Sequence, residues 1–401
     1  METAASEFVV AVDIGSCRTR CLIARVLDGR IEIVGRGDEP SRGVRRGEVI
    51  EVAAAGYAAG RAIRSAEEEA DVDVQSLFLA AGSRHAGFAN NRACIGITRA
   101  EQTVTARDVQ SVLGAARRVP LREDTVAIGT LVCSYAVDDV RHVRKAAGLR
   151  GTRLEAEVHV ITDARSTVEN MAAALDPAKY EVEEYVFSAH AAGEAVLYDD
   201  EKKLGVAVVD IGAGKTSIML YRDHAPVFSS VVPIGGDHVT SDIAMGMEFG
   251  LADAARLKEE RATVEAARPA GNIIFERIGK PGMFCVEARR LNAIVDCRVH
   301  EILDIVRREL MRAGVRPGTI RAVLTGGTSR LPGLDALAGS VLGCPVRVGR
   351  PALGEGAAMG PEMATAAGIL IVGSRAMTRR APQAASSGAA RRFFTWLGQL
   401  F

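Results

Sequence analysis

Three short apolar runs, each followed by glycine and other small residues, are the clearest feature of the hydrophobic pattern. They span residues 8–12, 206–209 and 322–324 and are rich in Val and Ala. Runs of this length and composition predict strands that are buried on both faces. The first two runs lead into the same Asp-Ile-Gly sequence, at Asp13 and Asp210. This repeat predicts two similar half-molecules that face a shared cleft, each contributing one aspartate and one glycine turn.

Helical spacing of apolar residues predicts helices between these strands. One extends from Ala53 to Ala70, and another, over 106–118, begins after Thr105 as its N-cap. A helix over 241–249 is predicted behind a Thr240 or Ser241 cap. The other predicted helices span residues 188–197, 251–260, 286–310 and 334–342. Residues 86–161 interrupt the alternation of strands and helices, which indicates an inserted subdomain.

The turns after the three strands carry residues suited to a phosphorylated ligand. Glycine lets the backbone approach a ligand closely, and the adjacent pair at 326–327 leaves room for a flat ring. Backbone N–H groups and the hydroxyls of Ser16 and Thr216 can bind phosphate oxygens. The carboxylates of Asp13 and Asp210 can orient waters around Mg²⁺. The candidate nucleotide-binding residues of these turns are Asp13, Gly15, Ser16, Asp210, Gly212, Ala213, Gly214, Lys215, Thr216, Gly326, Gly327 and Thr328.

Other interpretations of these turns exist. A single glycine turn after a buried strand has an ordinary structural explanation, and it is the duplication that favours ligand binding. The sequence Gly214-Lys215-Thr216 has the ending of a Walker A loop, but that motif requires glycine where this chain has Val209. A P-loop is therefore excluded. Lys215 either adds a cation close to the phosphates or points to solvent, and the sequence leaves both open.

Composition excludes several classes of protein. Lys and Arg together number 50, as do Asp and Glu, so the net charge argues against a nucleic-acid partner. The seven Cys form no CxxC pair and the seven His form no HExxH motif, so no zinc site is expected. The first residues do not have the pattern of a signal peptide. No apolar run approaches the roughly 20 residues that span a bilayer.

The C-terminal segment has a different character. Four of the 18 aromatic residues (11 Phe, 6 Tyr and 1 Trp) fall in the last nine positions, directly after two arginines. An apolar helical face behind basic residues predicts a helix that lies in a membrane interface, and a helix docked on the protein's own core is the alternative. The preceding stretch, rich in Ala, Ser, Pro and Arg from Thr378 onward, predicts a disordered linker. The predicted membrane residues are Arg391, Arg392, Phe393, Phe394, Trp396, Leu397, Leu400 and Phe401.

The order of the three turns resembles that of the phosphate, second phosphate and adenosine loops of the superfamily of actin, Hsp70 and sugar kinases. Residues 40–49, 148–162 and 232–244 are similar to segments of the FtsA family of bacterial cell-division proteins. The resemblance extends from about residue 8 to 372 and includes the tail. It implies an α/β fold of the actin-like, two-lobed type, with duplicated RNase H-like domains and an FtsA-type inserted subdomain.

The resemblance also implies subdomain boundaries. They are 7–85 with 162–197 for subdomain 1A, 86–161 for the inserted subdomain 1C, 198–235 with 305–372 for 2A, 236–304 for 2B, 373–390 for the linker and 391–401 for the membrane-targeting helix.

By the same resemblance, the ligands are ATP and Mg²⁺, the ion being held by Asp13 and Asp210 through water. Lys258 is a candidate contact to the ribose or adenine, against the alternative of a solvated helix face. The water that attacks the terminal phosphate usually needs a Gln or Glu near the connecting helix, but residues 187–190 contain none, and Glu194 follows about one and a half turns later. Without that side chain, ATP turnover is expected to be slow or absent.

The partners implied by the resemblance belong to cell division. Arg298 and Glu301 match the helix that docks the C-terminal peptide of FtsZ, although a plain intrahelical ion pair explains their spacing equally well. Self-association into an actin-like filament, anionic inner-membrane lipids and contacts of the insert with other division proteins are also expected. The chain would thus tether FtsZ filaments to the cytoplasmic face of the inner membrane at the division site.

Related functions fit the sequence less well. A sugar kinase would need a catalytic Asp over a sugar pocket, and a chaperone would need a substrate domain after the nucleotide domain. An actin-like ATPase of a pilus-assembly or cell-shape system is the nearest alternative, but the insert and the tail favour the FtsA family.

Overall fold

The computed structural model describes residues 7–380 except positions 28, 100, 265–270, 279–281 and 354–358. In chain order, the strands are β1 (Glu7–Ile14), β2 (Arg18–Leu27), β3 (Arg30–Pro40), β4 (Val44–Arg45), β5 (Glu48–Val49), β6 (Ser76–Ala81), β7 (Gly87–Gly96), β8 (Thr125–Val137), β9 (Val140–Val143), β10 (Arg153–Ala164), β11 (Glu181–Phe187), β12 (Val206–Ile211), β13 (Thr216–Arg222), β14 (Ala225–Val232), β15 (Asn272–Glu276), β16 (Met283–Glu287), β17 (Arg321–Thr325) and β18 (Val346–Val348). The helices are α1 (Val52–Ala70), α2 (Ala106–Arg117), α3 (Arg165–Ala173), α4 (Ser188–Val196), α5 (Asp199–Leu204), α6 (Gly236–Met247), α7 (Leu251–Arg261), α8 (Ala288–Arg312), α9 (Leu334–Leu342) and α10 (Ala364–Arg380).

Two five-stranded sheets share one topology. Their strand orders are β3-β2-β1-β6-β11 and β14-β13-β12-β17-β18. In each sheet the central strand pairs antiparallel with the next strand of a hairpin and parallel with a strand much later in the chain. The predicted α/β fold with duplicated halves is therefore confirmed. Apolar residues such as Val12 and Val209 are fully buried in the two central strands, which places Asp13 and Asp210 at the carboxyl ends of those strands.

The insert is a separate antiparallel sheet, β7-β10-β8-β9, with α2 packed against it. The predicted N-cap of α2 is confirmed, because Thr105 and Asp108 form a capping box. The insert also reaches the second half. Asn90 Nδ2 donates to the carbonyl of Val227 on the edge strand β14 at 3.2 Å, and His159 Nε2 lies 2.9 Å from Ser229 Oγ. The insert therefore covers the edge of β14 that no other strand of its sheet pairs with.

Helices α4 and α10 lie between the two halves and cross closely. A Cβ on Gly368 of α10 would overlap the carbonyl oxygen of Ala191 on α4. Ile369 and Leu370 of α10 share a buried cluster with Val9 and Phe78 of the first sheet. Two predictions are corrected here. Residues 364–372 pack on the first half rather than belonging to the second as expected, and residues 373–380 complete α10 rather than forming a disordered linker.

The smaller lobe of the second half contains α6, α7, the β15–β16 hairpin and α8. Helix α6 begins at Gly236 rather than at Ser241, so Thr240 and Ser241 are not its caps. The N–H groups of Gly236 and Asp237 instead donate to carbonyls of the second glycine turn. Helix α8 begins at Ala288, because the preceding residues form β16. Within the described residues, no helix combines the length and apolar character needed to cross a membrane.

Candidate nucleotide site

A cavity of about 320 Å³ opens between the two halves, at the carboxyl ends of β1 and β12. The two turns at its floor have the same geometry. Gly15 N donates to Arg18 O at 3.1 Å, and Gly212 N donates to Lys215 O at 3.0 Å. Each turn thus closes a hairpin and points small residues at the cavity. The predicted residues that line it are Asp13, Gly15, Ser16, Asp210, Gly212, Ala213, Gly214, Lys215, Lys258, Gly326, Gly327 and Thr328.

The two aspartates face each other across the cavity floor. Burial raises the pKa of Asp13, against the opposing charges of Arg20 and Lys215. Burial and the neighbouring charge of Asp13 raise the pKa of Asp210 to about 6. The hydroxyl of Thr365, at the start of α10, donates to Asp210 Oδ2 at 3.2 Å. The two carboxylates therefore lie close enough for their negative charges to repel each other.

This pair of carboxylates fits a hydrated Mg²⁺. Mg²⁺ keeps several waters and binds through one or two carboxylates together with substrate phosphates, and the cavity beside Asp13 and Asp210 leaves space for both. Within the described part of the chain, no cluster of three or more His, Cys, Asp or Glu could hold a metal through protein ligands alone. The residues present suit an ion that arrives with a nucleotide.

The third turn contributes backbone to the cavity next to Asp210. Gly326 has φ +82°, and a Cβ there would clash with the Asp210 carboxylate and with Ile211 O at 2.7 Å. Only glycine fits this position. Thr328 Oγ1 donates to Gly212 O at 3.0 Å, which ties the third turn to the second. Lys258 Nζ donates to Thr240 Oγ1 at 2.8 Å and to Gly236 O at 3.2 Å, so its stem forms one wall.

One predicted phosphate contact is wrong. Thr216 is fully buried, and its hydroxyl donates to Ile234 O at 2.8 Å. Thr216 is the first residue of β13, where side chains alternate between the two faces of the sheet. Its side chain therefore points into the protein, and the preceding Lys215 side chain points into the cavity. The Ser16 hydroxyl does line the cavity and accepts a hydrogen bond from Gly47 N at 2.9 Å.

Sequence reasoning missed several residues that line the cavity. Arg20 and Thr365 lie beside the aspartates, and Glu362 lies against the third turn. Glu259 of α7 and Asp237, in the first turn of α6, also line the cavity. Among these residues, only Asp237 could have been found from the sequence, because it falls within the segment 232–244 that is similar to the FtsA family. Thr365 contacts Asp210 from 155 positions away, and no local pattern marks such a contact.

Helix α4 presents no carboxylate or amide to the cavity. Its first residue, Ser188, lines the cavity and donates to Ala81 O at 3.0 Å. His190 Nδ1 lies 3.1 Å from the Tyr221 hydroxyl, and burial lowers the pKa of His190 to about 4. Glu194 binds Lys202 and Arg375 instead. None of these side chains is placed to orient a water beside the aspartates.

The predicted partner residues lie on α8, away from the cavity. Arg298 binds Glu301, and its Nη2 also donates to Asp242 Oδ1 of α6 at 3.0 Å. The ion pair within α8 is thus present, and Arg298 also contacts α6, which the sequence did not suggest. The role of Arg298 and Glu301 in partner binding stays a prediction. The predicted membrane residues, Arg391 to Phe401, lie outside the described residues.

The fold and the cleft define the class of protein. The chain is similar to a solved structure of a PilM-PilN type IV pilus biogenesis complex, with a TM-score of 0.64 and 18% identity over 91% of this chain and 98% of that chain. It is also similar to MreB5 of Spiroplasma citri bound to ADP, with a TM-score of 0.51 and 12% identity over 93% and 98% of the two chains. At these identities the likeness concerns the fold, which is that of the actin-like ATPases.

Sequence comparisons narrow the class to one family. The model of the cell division protein FtsA matches residues 207–368, and that of the SHS2 domain inserted in FtsA matches residues 84–162. FtsA of Pseudomonas aeruginosa is 32% identical, covering 92% of this chain and 89% of the relative. FtsA of Escherichia coli is 31% identical, with coverages of 92% and 90%. The chain belongs to the FtsA family of cell division proteins, and the pilus-assembly and cell-shape alternatives are not favoured.

Proposed function

We propose that this chain binds ATP with Mg²⁺ in the cleft and acts as an actin-like adaptor of cell division. The observation that carries the proposal is the pair of matching turns, each with an aspartate at its start, that encloses one cavity between the halves. Backbone N–H groups in such turns suit phosphate oxygens, and Gly326 and Gly327 suit the adenosine. The MreB5 structure with the same fold is described as bound to ADP, which supports a nucleotide.

ATP turnover in this adaptor is slow or absent. Phosphoryl transfer depends on a side chain that positions the attacking water, and α4 offers Ser188 at the cavity and no Gln or Glu. Nucleotide binding then serves to hold the halves together rather than to consume ATP. In this closed state the chain associates head to tail into filaments.

The adaptor links FtsZ filaments to the inner membrane. The α6–α8 face with Arg298 and Glu301 receives the C-terminal peptide of FtsZ, and residues 391–401 lie in the membrane interface. Arg379, Arg380, Arg391 and Arg392 add attraction to anionic lipids, at about 1 kcal/mol each near the surface. Each tail binds weakly, so filament formation multiplies the membrane affinity. The insert contacts other division proteins, and the protein acts at the division site.

Vesicle co-sedimentation tests the adaptor role. Anionic vesicles are mixed with the full-length protein and a synthetic FtsZ tail peptide, with and without ATP. We expect the protein to carry the peptide into the pellet, with more of both when ATP is present. Deletion of residues 391–401 should abolish pelleting and leave ATP binding intact. Undiminished pelleting of the deletion variant would rule out the membrane anchor.

A matched pair of substitutions on α8 tests the peptide site. Arg298→Ala should reduce peptide capture while the protein itself still pellets. Arg307→Ala is the control, since Arg307 forms a similar ion pair with Asp304 at 2.9 Å on the same helix. Equal peptide capture by the two variants would show that Arg298 has only a structural role.

A further inference from the structure

Lys215 is a cation inside the cleft that has no carboxylate partner among the described residues. Its ammonium donates to the carbonyl of Gly82 and, at 3.3 Å, to Ser188 Oγ, which are both neutral acceptors. Both belong to the first half, whereas Lys215 belongs to the second. Burial lowers the pKa of Lys215, against the opposing charges of Asp13, Asp210 and Asp163. The site thus contains a desolvated positive charge that is incompletely compensated.

The backbone directs this side chain inward. Lys215 is the last residue of the second glycine turn, and Gly47 packs over its stem, where a Cβ would lie 3.0 Å from Lys215 Cδ. Arg18 occupies the same position in the first turn, because Gly15 bonds to Arg18 as Gly212 bonds to Lys215. Arg18 also lines the cavity, but its guanidinium pairs with Asp38 at 2.6 Å. Lys215 therefore differs from Arg18 in having no carboxylate bonded to it among the described residues.

An anionic ligand would complete this arrangement. A buried charge without a partner is costly, and a ligand of opposite charge removes the cost. Thr328 and Lys258 both lie against Gly236 at one wall of the cavity, and with adenosine on that wall the phosphates extend toward Asp13 and Asp210. The Lys215 ammonium lies elsewhere in the cavity, on Gly82 and Ser188 of the first half, with the charges of Asp13 and Asp210 nearby. The group of a nucleotide nearest to it is the last phosphate of the chain.

We propose that Lys215 recognises the terminal phosphate of a nucleoside triphosphate, so that the chain distinguishes ATP from ADP even without a divalent cation. This inference rests on the proposed nucleotide binding and adds that the site prefers a triphosphate to a diphosphate. Asp13 and Asp210 repel a triphosphate, and a site with these acids alone depends on Mg²⁺ to offset the repulsion. Lys215 supplies one fixed positive charge for that purpose. A diphosphate does not extend to Lys215 and gains little from it.

Calorimetric titration of the full-length protein with ATP and ADP, each in EDTA and in Mg²⁺, tests the inference. In EDTA the unmodified protein should bind ATP at least tenfold more tightly than ADP. Lys215→Met should weaken ATP binding in EDTA at least tenfold and ADP binding less than threefold. Added Mg²⁺ should restore part of the lost ATP affinity, because the ion supplies charge that the variant lacks.

Two further variants separate charge from structure. Lys215→Gln removes the charge but can still donate to the Gly82 carbonyl, so it should lose ATP affinity as Lys215→Met does. Lys203→Met removes an exposed lysine outside the cavity and should change neither affinity. Equal losses for ATP and ADP, or full ATP affinity in Lys215→Gln, would show that Lys215 only connects the halves. Absence of any nucleotide binding by the unmodified protein would instead refute the proposed function.

Discussion

At the residue scale, two acids whose pKa values shift in opposite directions have opposite effects on stability. Asp210, in the cavity, has a pKa raised to about 6 by burial and by Asp13. Burial also disfavours the charged form of Glu194 on α4, but His190, Lys202 and Arg375 outweigh burial and lower its pKa to about 2. The surroundings of Asp210 therefore suit a bound ligand, whereas those of Glu194 stabilise the fold.

Asp210→Asn should therefore stabilise the nucleotide-free protein while abolishing Mg²⁺-ATP binding. The folded pKa of Asp210 lies above its unfolded value near 4, so the protonated form stabilises the fold below pH 4 and this contribution is lost as the pH rises through 6. Asparagine avoids the penalty, which is at most about 3 kcal/mol at neutral pH. Thermal unfolding at pH 7.5 should show a higher Tm, and calorimetry should show no ATP binding. A lower Tm would contradict the electrostatic argument.

Glu194→Gln should have the reverse effect on stability. The folded pKa of Glu194 lies below its unfolded value, so its contribution is present above about pH 4.5 and is lost as the pH falls through 2. Loss of the charge leaves Lys202 partly buried without its partner, at a cost of about 3 kcal/mol. Urea unfolding at pH 7 should show the loss, and the difference between the variant and the unmodified protein should shrink toward pH 3. Equal stability at pH 7 would refute this role.

At the scale of elements, α10 connects the cavity to helix α4. Thr365 at its start bonds to Asp210, and Arg375 near its end bonds to Glu194. Seventeen helical residues span about 26 Å. Because α10 packs closely on α4, it joins the cavity to the ion pairs of Glu194.

Two glycine-to-alanine substitutions test the α4–α10 contact. Gly368→Ala places a Cβ against the Ala191 carbonyl and should lower the free energy of unfolding by about 1–3 kcal/mol. Gly114→Ala in α2 meets nothing within 4 Å and should raise it by about 0.5–1 kcal/mol through helix propensity. Urea unfolding of both variants gives the comparison. An unchanged or raised free energy of unfolding in Gly368→Ala would show that the helices do not pack this closely.

At the scale of the whole molecule, the first and second glycine turns bring the two halves into contact. Gly214 of the second half lies against the first half, and a Cβ there would lie 2.8 Å from Arg46 Cα and clash with Ser16 Oγ. The first half also holds the Lys215 ammonium through Gly82. Close approach of the two turns thus depends on a glycine at position 214.

Gly214→Val should hold the cleft open. Small-angle X-ray scattering should show a larger radius of gyration, and the affinity for ATP should fall at least tenfold because the two turns no longer share one ligand. Gly96→Ala, on the insert strand β7 with nothing within 4 Å of the added Cβ, is the control and should change neither. An unchanged radius of gyration and ATP affinity in Gly214→Val would rule out this account of closure.

Features that depend on residues close together in the sequence could be predicted from the sequence alone. The buried strands, the repeated Asp-Ile-Gly turns and the Thr105 cap each occupy a few consecutive positions, and their repetition indicated two halves around a nucleotide. The inward direction of Lys215, the Thr365 contact with Asp210 and the packing of α10 on the first half join residues 133 or more positions apart. Such contacts arise when separate elements pack, so the burial and charge of the finished cleft, rather than any local pattern, place these side chains.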